Sequence, residues 1–150
     1  MKNFRFRLET LLRLRKNSRD RALSDYALSI RDREVAEKKV VQADLYLDRL
    51  NDILIEKSQN VFLGSEILAF QEQIRTAKTS KNKLVKNLSK LKTLEDSRRR
   101  VFVQKESEFK SLENYKNRKS DEHFHCEFKK EEKAQEDIIS SRFVFSRVHS

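Results

Sequence analysis

The segment His123-Phe124-His125-Cys126 gathers the chain's only cysteine and two of its three histidines. Such side chains are the usual zinc ligands, and a structural zinc site needs four of them converging. On a helix, His123 and Cys126 stand three apart on one face, while His125 points elsewhere. No second ligand pair occurs along the sequence, so the group reads as incidental, and neither a metal nor a cofactor is expected. A lone cysteine leaves no internal disulfide to form, which fits a reducing compartment. Catalytic pairings are equally thin. One glycine rules out a glycine-rich phosphate loop, and no pair of carboxylates lies in an apolar setting. The chain is therefore not expected to be an enzyme.

The chemistry that remains is charge. Charged residues make up 39% of the 150, apolar ones 37%, and the net charge is +10. The excess is local. Residues 1–21 hold eight Lys/Arg against two acids, and residues 75–100 hold ten against two. Between them, residues 22–74 carry six against ten, and residues 101–150 balance at ten each. The opening phrase FRFRLETLLRLRK sets Arg5, Arg7, Arg13 and Arg15 among leucines and phenylalanines. It could grip phosphates, a membrane surface or an acidic protein. The stretch 75–100, ending in Ser-Arg-Arg-Arg, could do the same. Nucleic-acid binding usually adds a groove-reading element or stacking aromatics, and here the one nearby aromatic, Phe102, falls on a hydrophobic stripe. Nucleic acid is thus not the expected partner, although a basic coiled coil binding it remains an alternative. No apolar run reaches the length of a membrane span, and the start has no continuous apolar core of a secretory signal.

These residues need elements to hold them, and the periodicity supplies helices. Alternating steps of three and four from Ile67 meet Phe70, Ile74, Ala77, Lys81, Leu84, Leu88, Leu91, Glu95, Arg98, Phe102, Lys105, Phe109 and Leu112. Ten of those fourteen positions are apolar, a heptad seam that a disordered chain would not keep. Beyond Leu112 the seam fades. In the first half, Ala36, Val40, Ala43, Leu47, Leu50 and Leu54 keep the same step. Upstream, Leu23, Tyr26 and Ile30 form an offset stripe, so the register stammers near Arg33; Leu8, Leu12 and the Arg15 and Arg19 positions continue it to the start. Helix 1 is expected over about 8–58 and helix 2 over about 66–142, with a tail at 143–150. Gly64 is the only residue that takes positive φ without penalty, which puts the corner at about 59–65, with Ser65 as cap and Glu66 in the first turn.

Folding back there pairs residues whose numbers add to about 124. The expected fold is all-α: one domain formed by a long antiparallel two-helix coiled-coil hairpin, about 75 Å long at 1.5 Å per residue, with a C-terminal helical overhang. A parallel homodimer is the competing architecture. The ends carry apolar residues without an evident place to bury them: Phe4 and Phe6 at one, and Ile138, Ile139, Phe143, Val144 and Phe145 at the other. Such residues suit a partner surface.

The phrase FRFRLETLLRLRK, residues 4–16, resembles the opening of FliJ, the small coiled-coil protein family of bacterial flagellar type III export. Residues Glu131, Glu132, Lys133, Ala134, Gln135, Glu136, Asp137 and Ile138 run like that family's Glu-Gln-Lys-x-Leu-Asp-Glu-apolar segment, with Glu132 in place of the usual Gln and Gln135 in place of the usual Leu. The resemblance implies a cytoplasmic, stalk-like adaptor, peripheral to the inner membrane at the flagellar base. It would bind the hexameric export ATPase, promote its assembly and activity, contact the membrane protein of the export gate and handle export chaperones, and it would be monomeric when free. Carried over residue by residue, the ATPase contacts would come from Phe4, Arg5, Phe6, Arg7, Arg13 and Arg15 at the start, and from Glu131, Lys133, Glu136 and Asp137 in the tail. The gate contacts would be Phe70 and Ile74, which also lie on the seam. A generic coiled-coil scaffold is the other alternative.

Overall fold

The computed structural model describes residues 2–59 and 64–148. Two helices account for almost all of them: α1, Glu9–Ser58, and α2, Gly64–Val148, of 50 and 85 residues. No strand occurs among the described residues. The two helices pack against each other antiparallel, and the cross-helix pairs follow the expected register. Glu9 meets Lys116, Arg15 meets Glu108, Asp25 meets Arg98, and Asp44 meets Lys81. Each pair of numbers adds to within a few residues of 124.

Both helices are stabilised by the seam more than by intrinsic propensity, because their outer faces are charged. On α2, all fourteen seam positions except Arg98 are buried or half-buried. The contacts gather into two compact units, Met1–Arg19 with Lys105–Ser150, and Asp20–Gln104. In the second of these, Leu47, Leu50 and Ile74 form a buried cluster with Leu54, Phe70 and Ala77 against it. In the first, Leu12, Phe109 and Leu112 are buried, with Phe6, Leu8 and Tyr115 packed on them.

Four expectations need revision. The first is the stammer near Arg33. In the unit Asp20–Gln104, burial on α1 runs through Ala22, Tyr26, Ser29, Arg33, Ala36, Val40, Ala43, Leu47, Leu50, Leu54 and Lys57 in unbroken steps of four and three. Leu23 is 47% exposed, and the seam takes its small neighbour Ala22 instead. Ser29, 3% exposed, occupies the next position of that row and donates its hydroxyl to the Tyr26 carbonyl at 2.6 Å. Ala22, Ser29, Ala36 and Ala43 are each seven residues apart, so one row of the seam is built from small side chains. In the observed register they face Phe102, Glu95, Leu88 and Lys81, and small-against-large layers let both helices fill the space between them.

The second revision concerns Gly64, which begins α2 without a positive φ; Ser65 lies inside the helix rather than capping it. Glu66 does sit in the first turn, where a carboxylate complements the helix dipole. Residues 60–63 of the expected corner lie outside the described residues. Third, α2 runs on to Val148, past the expected end at 142, because nothing in residues 143–148 breaks a helix. Fourth, Phe4 and Phe6 at the start are half-buried rather than left uncovered.

Candidate functional site

Residues 2–6 have no regular secondary structure and Arg7 and Leu8 form a turn into α1; the segment lies along α2 within the unit formed by Met1–Arg19 and Lys105–Ser150. The alternation Phe4-Arg5-Phe6-Arg7-Leu8 explains this. Burial alternates along it, with the apolar side chains toward the helix and the arginines toward water. Phe6 packs on Tyr115 with ring centroids 6.0 Å apart, and Phe4 packs on His123 at 5.6 Å and on Phe6 at 6.4 Å. His123 donates from Nε2 to the Lys2 carbonyl at 3.0 Å. The Glu9 amide then closes a turn on the Phe6 carbonyl at 3.2 Å, and α1 starts. Phe4, Phe6 and Leu8 are half-buried, while Arg5 and Arg7 are exposed. The segment leaves a groove of about 260 Å³ lined by Phe4, Arg5, Phe6, Arg7, Leu8, Tyr115 and Lys119. An aromatic floor with a cationic rim suits an acidic protein segment carrying an apolar side chain.

The four arginines of the opening phrase part company. Arg13 is exposed on α1. Arg15 is a seam residue: it donates to the Glu108 carbonyl at 2.9 Å, and one turn on Arg19 lies 4.5 Å from the centre of the Phe109 ring. Arg15 is therefore engaged inside the coiled coil, and the outward basic surface is Arg5, Arg7 and Arg13. Tyr115 carries no signal in the sequence, and His123 stands out there only as a potential metal ligand, because both sit where the heptad pattern fades; what they share is spacing of about two turns on α2, opposite the start of the chain.

On α2, every described residue from 128 to 148 is exposed. Glu131, Lys133, Glu136 and Asp137 lie there, beside exposed Ile138, Ile139, Phe143, Val144 and Phe145. Phe70 and Ile74 are in the other unit. Ile74 is buried against Leu47 and Leu50, and Phe70 is half-buried beside them with the Lys57 ammonium 4.9 Å from its ring centre. Of that pair, Phe70 offers the accessible area.

Cys126 is exposed, and among the described residues no three His, Cys, Asp or Glu side chains converge as a metal site. Among the same residues no helix is long and apolar enough to cross a membrane. The basic stretch forms an exposed outer face with Lys83, Lys86 and Lys90 on it.

The family model for FliJ, the flagellar FliJ protein, matches residues 4–147, nearly the whole chain. No curated protein and no solved structure matches.

Proposed function

The chain belongs to the flagellar FliJ protein family, which makes it a protein of flagellar export, and from that premise we propose that it is a non-enzymatic adaptor that docks on the hexameric export ATPase. The observation that carries this is the clasp at the start of the chain. Aromatic packing on Tyr115 and His123 holds Arg5 and Arg7 outward on a defined backbone, with Arg13 exposed on the adjoining helix. Cations held this way steer and orient an acidic partner more than they add affinity. The exposed stretch of α2 with Glu131, Lys133, Glu136 and Asp137 lies in the same unit and supplies the second part of the contact. Promotion of ring assembly follows if both parts engage the ATPase together.

In the same reading, Phe70 contacts the export gate and Ile74 supports it from below, and chaperones are handled by the exposed helix faces. The protein would work in the cytoplasm, at the inner-membrane base of the flagellum.

The test is ATP turnover by the export ATPase of the same organism, with and without this protein, at physiological salt. Stimulation is expected, and the double substitution Arg5→Glu/Arg7→Glu should abolish it with helicity unchanged. Equal stimulation by the variant, or none by the native chain, overturns the proposal.

A further inference from the structure

The middle of α2 carries a second basic surface, in the unit Asp20–Gln104. Residues 73–94 of the helix hold seven Lys/Arg and no acid, whereas the facing stretch of α1, residues 30–51, holds five of each. The excess charge of this unit therefore lies on one side. Part of it is neutralised. Arg75 and Lys81 are held by carboxylates, and so are Arg98, Arg99 and Arg100 just beyond. Lys78, Lys83, Lys86, Lys90 and Lys92 are all exposed and have no partner among the described residues. In the heptad register Lys86 points away from α1. Lys83 and Lys90 flank it on one side, and Lys78, Val85 and Lys92, each seven apart, form a row on the other.

We propose that this face rests on an anionic lipid surface, with α2 toward the headgroups and α1 away from them. Residue type decides between the possible partners. Protein interfaces gather aromatic side chains and arginine at their centre and are poor in lysine. Nucleic-acid readers add stacking rings or an element that enters a groove. Here the five free cations are all lysine, and no aromatic residue stands between Phe70 and Phe102. A lipid surface asks for less, because separated cations are each drawn to anionic headgroups. Lysine stems are long enough to reach down from either flank and lie along the interface while the ammonium groups meet phosphate. Val85, 42% exposed, adds an apolar contact in the same row. From Lys78 to Lys92 the face runs about 20 Å along one continuous helix, so all five lysines can meet a flat surface together. The outer charges of α1 stand about 10 Å further off, beyond the screening length of about 8 Å at physiological ionic strength. The inference rests on the proposed place at the inner membrane only for which membrane is met; the contact itself needs no export partner.

Cosedimentation of the full chain with vesicles of phosphatidylcholine, alone or mixed with phosphatidylglycerol, tests the proposal. Binding is expected only to the mixed vesicles, and it should fall steeply as salt is raised. Each lysine near such a surface contributes about fivefold to partitioning, so Lys83→Gln/Lys86→Gln/Lys90→Gln should weaken it by about a hundredfold. Arg31→Gln/Lys38→Gln/Lys39→Gln removes the same charge from α1 and should weaken it by less than about threefold, because those groups are screened. All six side chains are exposed, so circular dichroism should show both variants as helical as the native chain. The lysine variant should still stimulate the export ATPase, which separates failure of this inference from failure of the adaptor reading. Equal binding to vesicles without phosphatidylglycerol, no binding to the mixed ones, or equal losses in the two variants each overturns the proposal. So does a DNA duplex that strips the chain from the mixed vesicles at the same salt.

Discussion

Arg33 of α1 reaches about one turn along the seam to Glu95 of α2 and forms an ion pair across it, with Glu37 accepting a second bond from the same guanidinium at 3.0 Å. Bonding to Glu37, and then to Glu95, holds the Arg33 guanidinium even further above its usual pKa. A polar layer inside a coiled coil stabilises less than an apolar one but penalises every other register. Replacing both residues by leucine should raise the melting temperature, whereas Glu95→Ala alone should lower it by leaving Arg33 short of one partner. Thermal unfolding followed by circular dichroism reads both. A lower melting temperature for the double leucine variant would show that the pair stabilises more than it specifies.

Asp96 accepts from Arg99 at 2.8 Å and lies 2.9 Å from Arg100. The Arg99 hydrogen bond holds its carboxyl below the usual carboxylate range. A depressed folded value means the stabilisation is present above the unfolded pKa, about 3.9, and is lost as pH falls through the folded one. Asp96→Asn should therefore be slightly less stable than the native chain at neutral pH, with the difference closing below about pH 4. Melting temperatures of both proteins across that range check it, and a gap that widens on acidification would contradict it.

The seam determines which leucines matter. Leu50 is 4% exposed against Leu47 and Ile74, while Leu45 is 60% exposed. Leu50→Ala should cost about 2–4 kcal/mol, because a two-helix core relaxes only partly around the lost volume. Leu45→Ala should change stability by less than about 0.5 kcal/mol, the usual range for a surface substitution. Urea unfolding distinguishes the two.

Small residues in the row Ala22, Ser29, Ala36, Ala43 should resist enlargement. Ala36→Leu adds apolar volume where Leu88 already faces it, and should destabilise by about 1–3 kcal/mol through overpacking. Ser29→Ala removes a hydroxyl bonded only within its own helix turn and should be close to neutral. The same unfolding measurement tests both; a stabilising Ala36→Leu would mean that the row encloses a void.

Phe6 anchors the clasp on Tyr115 outside either helix. Phe6→Ala should leave the helical signal intact and cost about 1–2 kcal/mol, roughly half the loss for a fully buried ring. It should also expose residues 2–8 to rapid amide exchange. Unchanged protection there would show that Phe4 and the Lys2–His123 bond hold the segment without it.

Helical class, antiparallel register and the length of the seam were legible in residue order because each follows from a repeat. Ten apolar residues in fourteen heptad positions, one glycine and no proline admit few other folds, and the register near 124 followed from the place of that glycine. The resemblance of FRFRLETLLRLRK carried the family. Where a choice lay between adjacent residues, order was silent. Leu23 and Ile30 are the stronger hydrophobes, yet the helix buries Ala22 and Ser29, because the face opposite is already filled by Phe102 and Glu95. Phe4 and Phe6 look unpartnered in the sequence, since Tyr115 and His123 lie more than a hundred residues away, and Arg15 is drawn into the seam by a carbonyl that no side-chain pattern announces. Periodicity is a property of one helix and can be read along it. Burial belongs to two surfaces at once, and becomes definite only when the second helix is in place.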